Sequence, residues 1–572
     1  MKKILIMVLC CIVLVFVLVA CESNEAPAPT PPATGDNQAA TPGEPPPPTE
    51  IDEDVHYTFT VWMYATANDL YSGYSNNPSV NYLNQRFNVT LDFIQPVAGT
   101  EADALALMFG TAQYTDLIDV TTFTGSIAEL YQDGVIVDIS NYLQYMPNLS
   151  AHLDANDNIR RQFFNDDGRI LTLTVFGEVP EIAWGGLVYR HDILEAMTGG
   201  NVQFPSGNEG PVTVEDWEYM LPLFQQFFQV AGFHDYAPLI IPATGTFWDG
   251  ALVSGFGFPG PVYFYDTRTG VVNHGYMTDG FLNYLQTMNR WFENGWIYRD
   301  FATRVGDMFF LPNPALTFGG AAGVWFGLQS QLGDAMSMPE HGLYFDVRPA
   351  PTPLDEAFGV TGEQVLDFIA PYYQNMATFV VTTATSNIPR LLTVLDFMYS
   401  DEGGLIWTYG LTAEQIPEND TVYTQAGLSE GAFWFENGSI VINPLIDLGG
   451  GTIQRSDVNL IRLPGFNRNA QEMSISAPII QNAHNHWAKY DPVGVIERLP
   501  TRLSFSVADD IEMATRDVMI TDFAEGAIQR FIMGTDPINE ETFEAFRNQL
   551  IALGILENIR INQEALDRYL TR

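Results

Sequence analysis

YTFTVWMYATANDL (57–70), VTLDFIQPV (89–97), EADALALMFGTAQ (101–113) and TDLIDV (115–120) succeed one another early in the chain, and their patterning decides the fold class. The first alternates from Tyr57 to Trp62 and then runs into a polar loop, as a half-buried strand does. A helical stretch around Val80 to Phe87 separates it from the second strand, a second helix follows, and TDLIDV makes a third strand. This βαβαβ order predicts a parallel sheet with helices on its faces. Ligands of such sheets bind outside the carboxyl ends of the strands, here at the loops that begin near Tyr64 and Thr121.

Outward from this unit, SIAELYQDGVIVDIS (126–140) reads as a helix ending at Gly134, and NDDGRILTL (165–173) as a hairpin turned by Asp167-Gly168. After Pro180 the alternation starts again. IAWGGLVYRHDILEAM (182–197) is an apolar strand passing into a helix, and Thr213 with Asp216 forms a capping box before an amphipathic helix. APLIIPATGTFWDG (237–250) reads as a strand, FLNYLQTMNRWFENGWI (281–297) as a helix, and ALTFGGAAGVWFGLQSQLGDAM (315–336) as a strand, a small-residue turn and another helix. Two α/β lobes with a cleft between them are the simplest outcome.

The N-terminus points outside the cytoplasm. Lys2 and Lys3 precede an apolar run from Ile4 to Ala20, and Leu18-Val19-Ala20-Cys21 resembles a bacterial lipobox, so residues 1–20 read as a lipoprotein signal peptide and Cys21 as the lipidated residue. All three cysteines fall at or before position 21, so the mature chain forms no disulfide and rests on an ordinary core. Residues 21–55 are poor in large apolar side chains and include Pro45 to Pro48, a composition that predicts a disordered, extended stalk. Loss of residues 1–20 removes two lysines and no acid, so the net charge of −44 becomes −46. Such a surface repels phosphate backbones, which argues against nucleic acid as a partner.

Several segments together resemble the extracellular solute-binding proteins of ABC transporters, in particular the family that binds sugars and oligosaccharides, in its long Gram-positive lipoprotein branch. They are NDDGRILTL; LVYRHDILEAM (187–197) with VTVEDWEYML (212–221); FVVTTATSNIPRLLTVLDFMYSDEGGLIWTYG (379–410); and residues 528–570. The resemblance spans about Tyr57 to Leu570. It implies a periplasmic-binding-protein-like α/β fold of two hinged lobes, 56–180 with 375–430 and 181–374 with 431–572, crossing near 175–185 and 374–382. It further implies a monomeric, membrane-anchored binding protein that delivers a sugar to a permease, with no catalysis and no cofactor. A peptide receptor of the same fold and an anchored glycan hydrolase are the alternatives. Arg169 and His191 stand where relatives commonly carry lysine.

Sugars offer apolar faces and a rim of hydroxyls, so a sugar site calls for aromatic platforms flanked by Asp, Asn, Glu or Arg. By order along the chain, the ligand-binding positions implied are Tyr64, Asn68 and Asp69 after the first strand, Thr122 and Phe123 after the third, and Trp184, Trp248, Asp249, Trp325 and Phe326 in the second lobe. Trp248 and Trp325 are the expected stacking platforms, with Trp184 and Arg190 the weaker candidates. Trp217, Trp291, Trp296 and Trp407 sit in helical patterns and are assigned to packing. GFGFPG (255–260) matches G-x-G-x-x-G, yet Pro259 and the strand-like residues after it leave no helix to receive a pyrophosphate. DANDNIRRQFFN (154–165) resembles half a calcium loop but has Ile159 at the glycine position and Asn165 at the bidentate glutamate. His484 and His486 lack the further ligands of a metal site.

Overall fold

In the computed structural model, the described residues are 54–64, 73–247, 250–303, 314–365, 378–446, 453–491 and 494–572, and they belong to one compact unit. The signal, Cys21 and the stalk up to residue 53 lie outside them. The strands of the two principal sheets are β1 (Tyr57–Trp62), β2 (Val89–Ile94), β3 (Leu117–Asp119), β4 (Gly185–Arg190), β5 (Ala237–Leu239), β6 (Ala322–Leu328), β7 (Val347–Pro349) and β8 (Phe379–Val381).

The first sheet has the order β8-β3-β1-β2. Its first three strands are parallel, with Tyr57 opposite Val89 and Val61 opposite Leu117, while β8 runs against β3. Alternation sends Phe59, Val61, Leu91 and Leu117 into one core and Trp62 and Ile118 into another on the opposite face. The expected helices are present at Pro78–Arg86, Glu101–Thr111 and Ile127–Gln132. Asn77 caps the first by accepting the Ser79 and Val80 amides. Past Gly134, the chain reaches a turn at 165–169, where the Asn165 amide donates to the Arg169 carbonyl at 2.9 Å and Gly168 takes φ +74. The expected hairpin does not form there. Leu173 instead exchanges backbone bonds of 2.8 and 2.9 Å with Phe379, because β8 offers the exposed ladder beside it.

The second sheet has the order β7-β4-β6-β5; β5 and β6 are parallel, and β4 runs against both β6 and β7. Both faces are covered. Leu187, Tyr189, Leu239, Val324 and Phe326 enter one core with the helix Val214–Val230, while Val188, Ala322, Trp325 and Val347 enter another with Trp487 of the helix Pro478–Trp487. Gly186 permits that approach, since a Cβ there would lie 2.4 Å from the Trp487 ring. The capping box at Thr213 forms: its hydroxyl accepts the Asp216 amide, and the buried Asp216 carboxylate accepts the amides of Ser206, Val212 and Thr213. Trp217 and Trp291, both fully buried, stack at 6.1 Å.

Two expectations are corrected. Residues 315–336 form a short helix, Pro314–Phe318, then a turn with Gly320 at φ +75 and then strand β6, rather than strand, turn and helix. A strand buried on both sides shows no alternation, so its apolar run did not declare its own boundaries. The chain from 431 to 466, grouped with the second lobe on sequence, packs in the first core through Ala432, Ile446, Ile453, Val458, Leu460, Leu463 and Phe466. The short strand pair Phe466–Asn467 and Phe176–Gly177, parallel to each other, brings this segment beside the first crossover. A third crossover therefore follows Asn467 on the way to the helix Pro478–Trp487.

Candidate binding cleft

The carboxyl ends of β1, β2 and β3 lie at Trp62, Ile94 and Asp119, and antiparallel β8 begins at the same edge with Phe379 opposite Asp119. In the second sheet the carboxyl end of β6 at Leu328 lies opposite the start of β4 at Gly185. The first crossover runs from Gly177 to Gly185, and the second returns to Phe379. The first therefore joins the edge of one sheet where strands β1–β3 finish to the edge of the other where β6 finishes, and Phe379 re-enters the first sheet at that same edge. That shared edge is the candidate cleft.

At the first-lobe edge, Tyr64 is half-buried just beyond β1 and Thr122 is exposed. Phe123 is half-buried, its ring 4.9 Å from that of Phe109. Asp119 accepts both the amide and the hydroxyl of Thr121, at 2.9 and 2.6 Å, and the Thr378 amide donates to Thr121 Oγ1 at 3.1 Å. Burial pushes the Asp119 carboxyl above its usual range, opposed by the Thr121 bonds and the charge of Arg462. Asn68, Asp69, Trp248 and Asp249 lie outside the described residues.

At the second-lobe edge the half-buried Trp184 meets Phe326 edge to face at 6.5 Å, and Phe247 stacks on Phe326 at 6.1 Å. The Gln329 side-chain amide donates to the Ala183 carbonyl at 2.8 Å, and the Gln329 backbone donates to the Trp184 carbonyl at 3.1 Å. Behind them, the Ala183 amide donates to His484 Nδ1 at 3.1 Å, so that nitrogen is unprotonated, and burial lowers the histidine pKa.

Three residues named from sequence are not placed as a cleft surface. Trp325 is 1% exposed, its indole N–H donating to Gln331 Oε1, and Phe326 is equally buried, because β6 is an inner strand covered on both faces. Arg190 ends β4 at the far edge, with Nε and Nη2 donating to the Asp192 carboxylate and its guanidinium 3.9 Å from the Phe345 ring centre. Sequence reading missed Asp119, Gln329 and the Glu181 cluster, which come from separate segments with no common motif. Glu181 lies in the first crossover, accepts from Asn467 Nδ2 at 3.3 Å, and has its pKa pushed up to about 7, chiefly by burial, with Glu472 adding and Arg455 opposing. Arg455 and Glu472 pair at 2.7 Å. GFGFPG is a loop in which a Cβ on Gly255 would sit 1.7 Å from the Pro353 carbonyl oxygen. In the 154–165 segment Asn156 caps the helix Asp157–Phe163, and no group of three or more metal-ligating side chains occurs among the described residues.

No family model matches the chain, and no curated protein matches it. Its likeness is to solved structures. One is a human-milk-oligosaccharide (HMO)-binding, ABC-transporter-associated solute-binding protein from Bifidobacterium longum infantis, with TM-score 0.66 and 15% identity over 90% of this chain and 99% of that one. The alginate-binding protein AlgQ2 gives TM-score 0.63 at 16% identity over 89% and 98%. The S. pneumoniae ABC-transporter substrate-binding protein FusA, in complex with kestose, gives 0.63 at 14% over 90% and 99%. At these identities the likeness establishes the fold, which is the two-lobed α/β fold of solute-binding proteins.

Two outcomes follow from the geometry. Trp325→Ala should lower the stability of the empty protein by about 3–5 kcal/mol and leave ligand affinity within a factor of about three, whereas Trp184→Ala should weaken affinity roughly ten- to hundredfold with little change in melting temperature. Calorimetric melting and ligand titration of both variants check this, and the reverse pattern would restore Trp325 as a platform. Because the folded Glu181 carboxyl holds its proton more tightly than the unfolded value of 4.5, its favourable contribution is complete below about pH 4.5 and lost as pH rises through about 7. Glu181→Gln should match the wild type at pH 4 and exceed it at pH 8 by at most ~3 kcal/mol. A stability difference that does not change with pH would rule out this account.

Proposed function

We propose that this chain is a lipid-anchored, extracytoplasmic binding protein that captures a sugar or oligosaccharide and delivers it to the permease of an ABC transporter, without altering the ligand. The observation that carries the reading is the joining of two α/β sheets, through the first crossover, at the edges where β1–β3 and β6 finish, in a fold shared over about nine tenths of the chain with the HMO-binding protein and with FusA bound to kestose. Half-buried Trp184, Tyr64 and Phe123 provide aromatic surface at that edge, and Thr122, Gln329 and Asp119 provide the polar groups that sugar hydroxyls require. Asn68, Asp69, Trp248 and Asp249 belong to the same proposed site by their place in the chain. No helix of the described residues is long and apolar enough to cross a membrane.

The mechanism is closure. A sugar that touches both edges stabilises the closed arrangement by its differential affinity, and the permease recognises that state. A glycan library screened by thermal shift should yield a ligand that raises the melting temperature and is recovered chemically intact, with X-ray scattering showing compaction at saturation. Cleavage of the bound glycan would make the protein a hydrolase instead, and a response to peptides alone would move it to the peptide-receptor class. Cys21→Ser should abolish lipid labelling and release the protein into the medium; retention of that variant in the membrane fraction would show that the N-terminal apolar run is the anchor.

A further inference from the structure

Arg502 and the buried Arg390, whose Nη2 donates to the Phe87 carbonyl, stand apart from the arginines that this chain holds with carboxylates. Arg190 is paired with Asp192, Arg455 with Glu472 and Arg572 with Asp166. Arg502 is half-buried, and its bonds are to neutral hydroxyls, Nη1 donating to Thr172 Oγ1 at 3.1 Å and Nη2 to Thr378 Oγ1 at 3.0 Å. Among the described residues no ion pair involves it, and the side chain whose electrostatics act on it is Tyr399. Burial draws its pKa down to about 10, so the guanidinium is still cationic at neutral pH. Isolating a cation from water without a counter-charge is costly. Acids are not scarce in a chain with 69 of them against 25 lysines and arginines, so the missing partner is a property of this position.

The position is the candidate cleft. Thr378 opens β8 at the ligand-bearing edge, and its amide binds Thr121 of the loop after β3. Thr172 lies on the stretch that leads into the first crossover. Arg502 itself comes from the second lobe, where its neighbours Leu499 and Leu503 pack with Val272, Leu566 and Tyr569. The guanidinium thus ties a second-lobe segment to Thr172, ahead of the first crossover, and to Thr378, where the chain re-enters the first sheet, held by hydroxyls that orient it without neutralising it.

We infer that Arg502 is a specificity-determining residue that receives an oxyanion substituent, carboxylate or sulfate, carried by the saccharide. The planar fork of an arginine suits either oxyanion in a two-bond contact, and the hydroxyls of Thr172 and Thr378 hold the fork in place. The acidic surface does not forbid an anionic ligand, because at physiological salt its field is screened beyond ~8 Å and the nearest charge dominates.

The inference rests on the receptor reading and is tested apart from it. The mature protein is titrated calorimetrically with three oligosaccharides of matched length: a uronate form, its carboxyl-reduced neutral counterpart and a sulfated form. At least one charged form should bind at least about tenfold more tightly than the neutral one, with an advantage that shrinks as salt is raised. Arg502→Gln should abolish the advantage and Arg502→Lys restore part of it. Equal affinity for charged and neutral forms would overturn the inference while leaving the receptor reading intact. An Arg502→Gln variant that loses affinity equally for all three would also overturn it, making Arg502 an interlobe strut. Should that variant fail to fold, the wild-type ratio and its salt dependence decide. Failure of every saccharide to bind would overturn the receptor reading and this inference together.

Discussion

A parallel strand must be returned to its starting end before the next can pair beside it, so parallel strands gather their carboxyl ends along one edge. That constraint organises this molecule. In the first sheet it aligns Trp62, Ile94 and Asp119, and in the second it leaves Leu328 beside the start of β4. The first crossover attaches at these edges, and the Phe176–Gly177 and Phe466–Asn467 pair lies parallel next to it. Reversing β4 allows the first crossover, from Gly177 to Gly185, to stay short, because an antiparallel strand begins where its parallel neighbours end. The cleft is thus a consequence of strand direction before any side chain is considered.

Charge is distributed on this frame unequally. With so many acids available, arginines are commonly held by carboxylates at the surface, as in Arg348 with Asp346 or Arg560 with Glu557 and Glu564. Exposed pairs of this kind contribute little to stability. The informative groups are those that the fold isolates. Glu181 and Asp119 are carboxyls moved upward by burial, and Arg502 is a cation with hydroxyl partners only among its bonds, all three near the crossovers.

The first lobe was legible from sequence because β1 is half-buried, and Phe59 and Val61 on one face with Trp62 on the other leave a period of two to be read. The capping box at Thr213 and the packing of Trp217, Trp291 and Trp407 were legible for a similar reason, being local or helical patterns. Strand β6 was not. Its residues are apolar on both faces, so Trp325 looked like a flat ring near a strand end when it is an inner-strand side chain under the helix Pro478–Trp487. The assignment of 431–466 failed because chain order does not report which core a segment enters when it packs across hundreds of positions, as Ser79 does in donating to the Val458 carbonyl. Asp119, Gln329 and Arg502 were invisible for the same reason: what joins them is the edge, and the edge exists only after the sheets have formed.

The crossovers also limit what kind of motion closure could be. Tyr569 accepts from Gln162, and Arg568 and Arg572 both pair with Asp166, so the end of the C-terminal helix Ile555–Leu570 is tied to the first-lobe segment that follows the helix Asp157–Phe163. Arg572 carries this tie further by donating to the Arg502 and Arg161 carbonyls and to Ser504 Oγ. A contact network with a 4% exposed guanidinium at its centre does not slide easily, since any displacement leaves several charged groups unpaired at once. Rotation of one lobe against the other must therefore pivot close to these residues, with the largest excursions at the parts of the edge farthest from them. On the receptor reading, ligand groups bound near Arg502 would move least between the open and closed states, and those reaching toward Tyr64 and Thr122 would report closure most strongly.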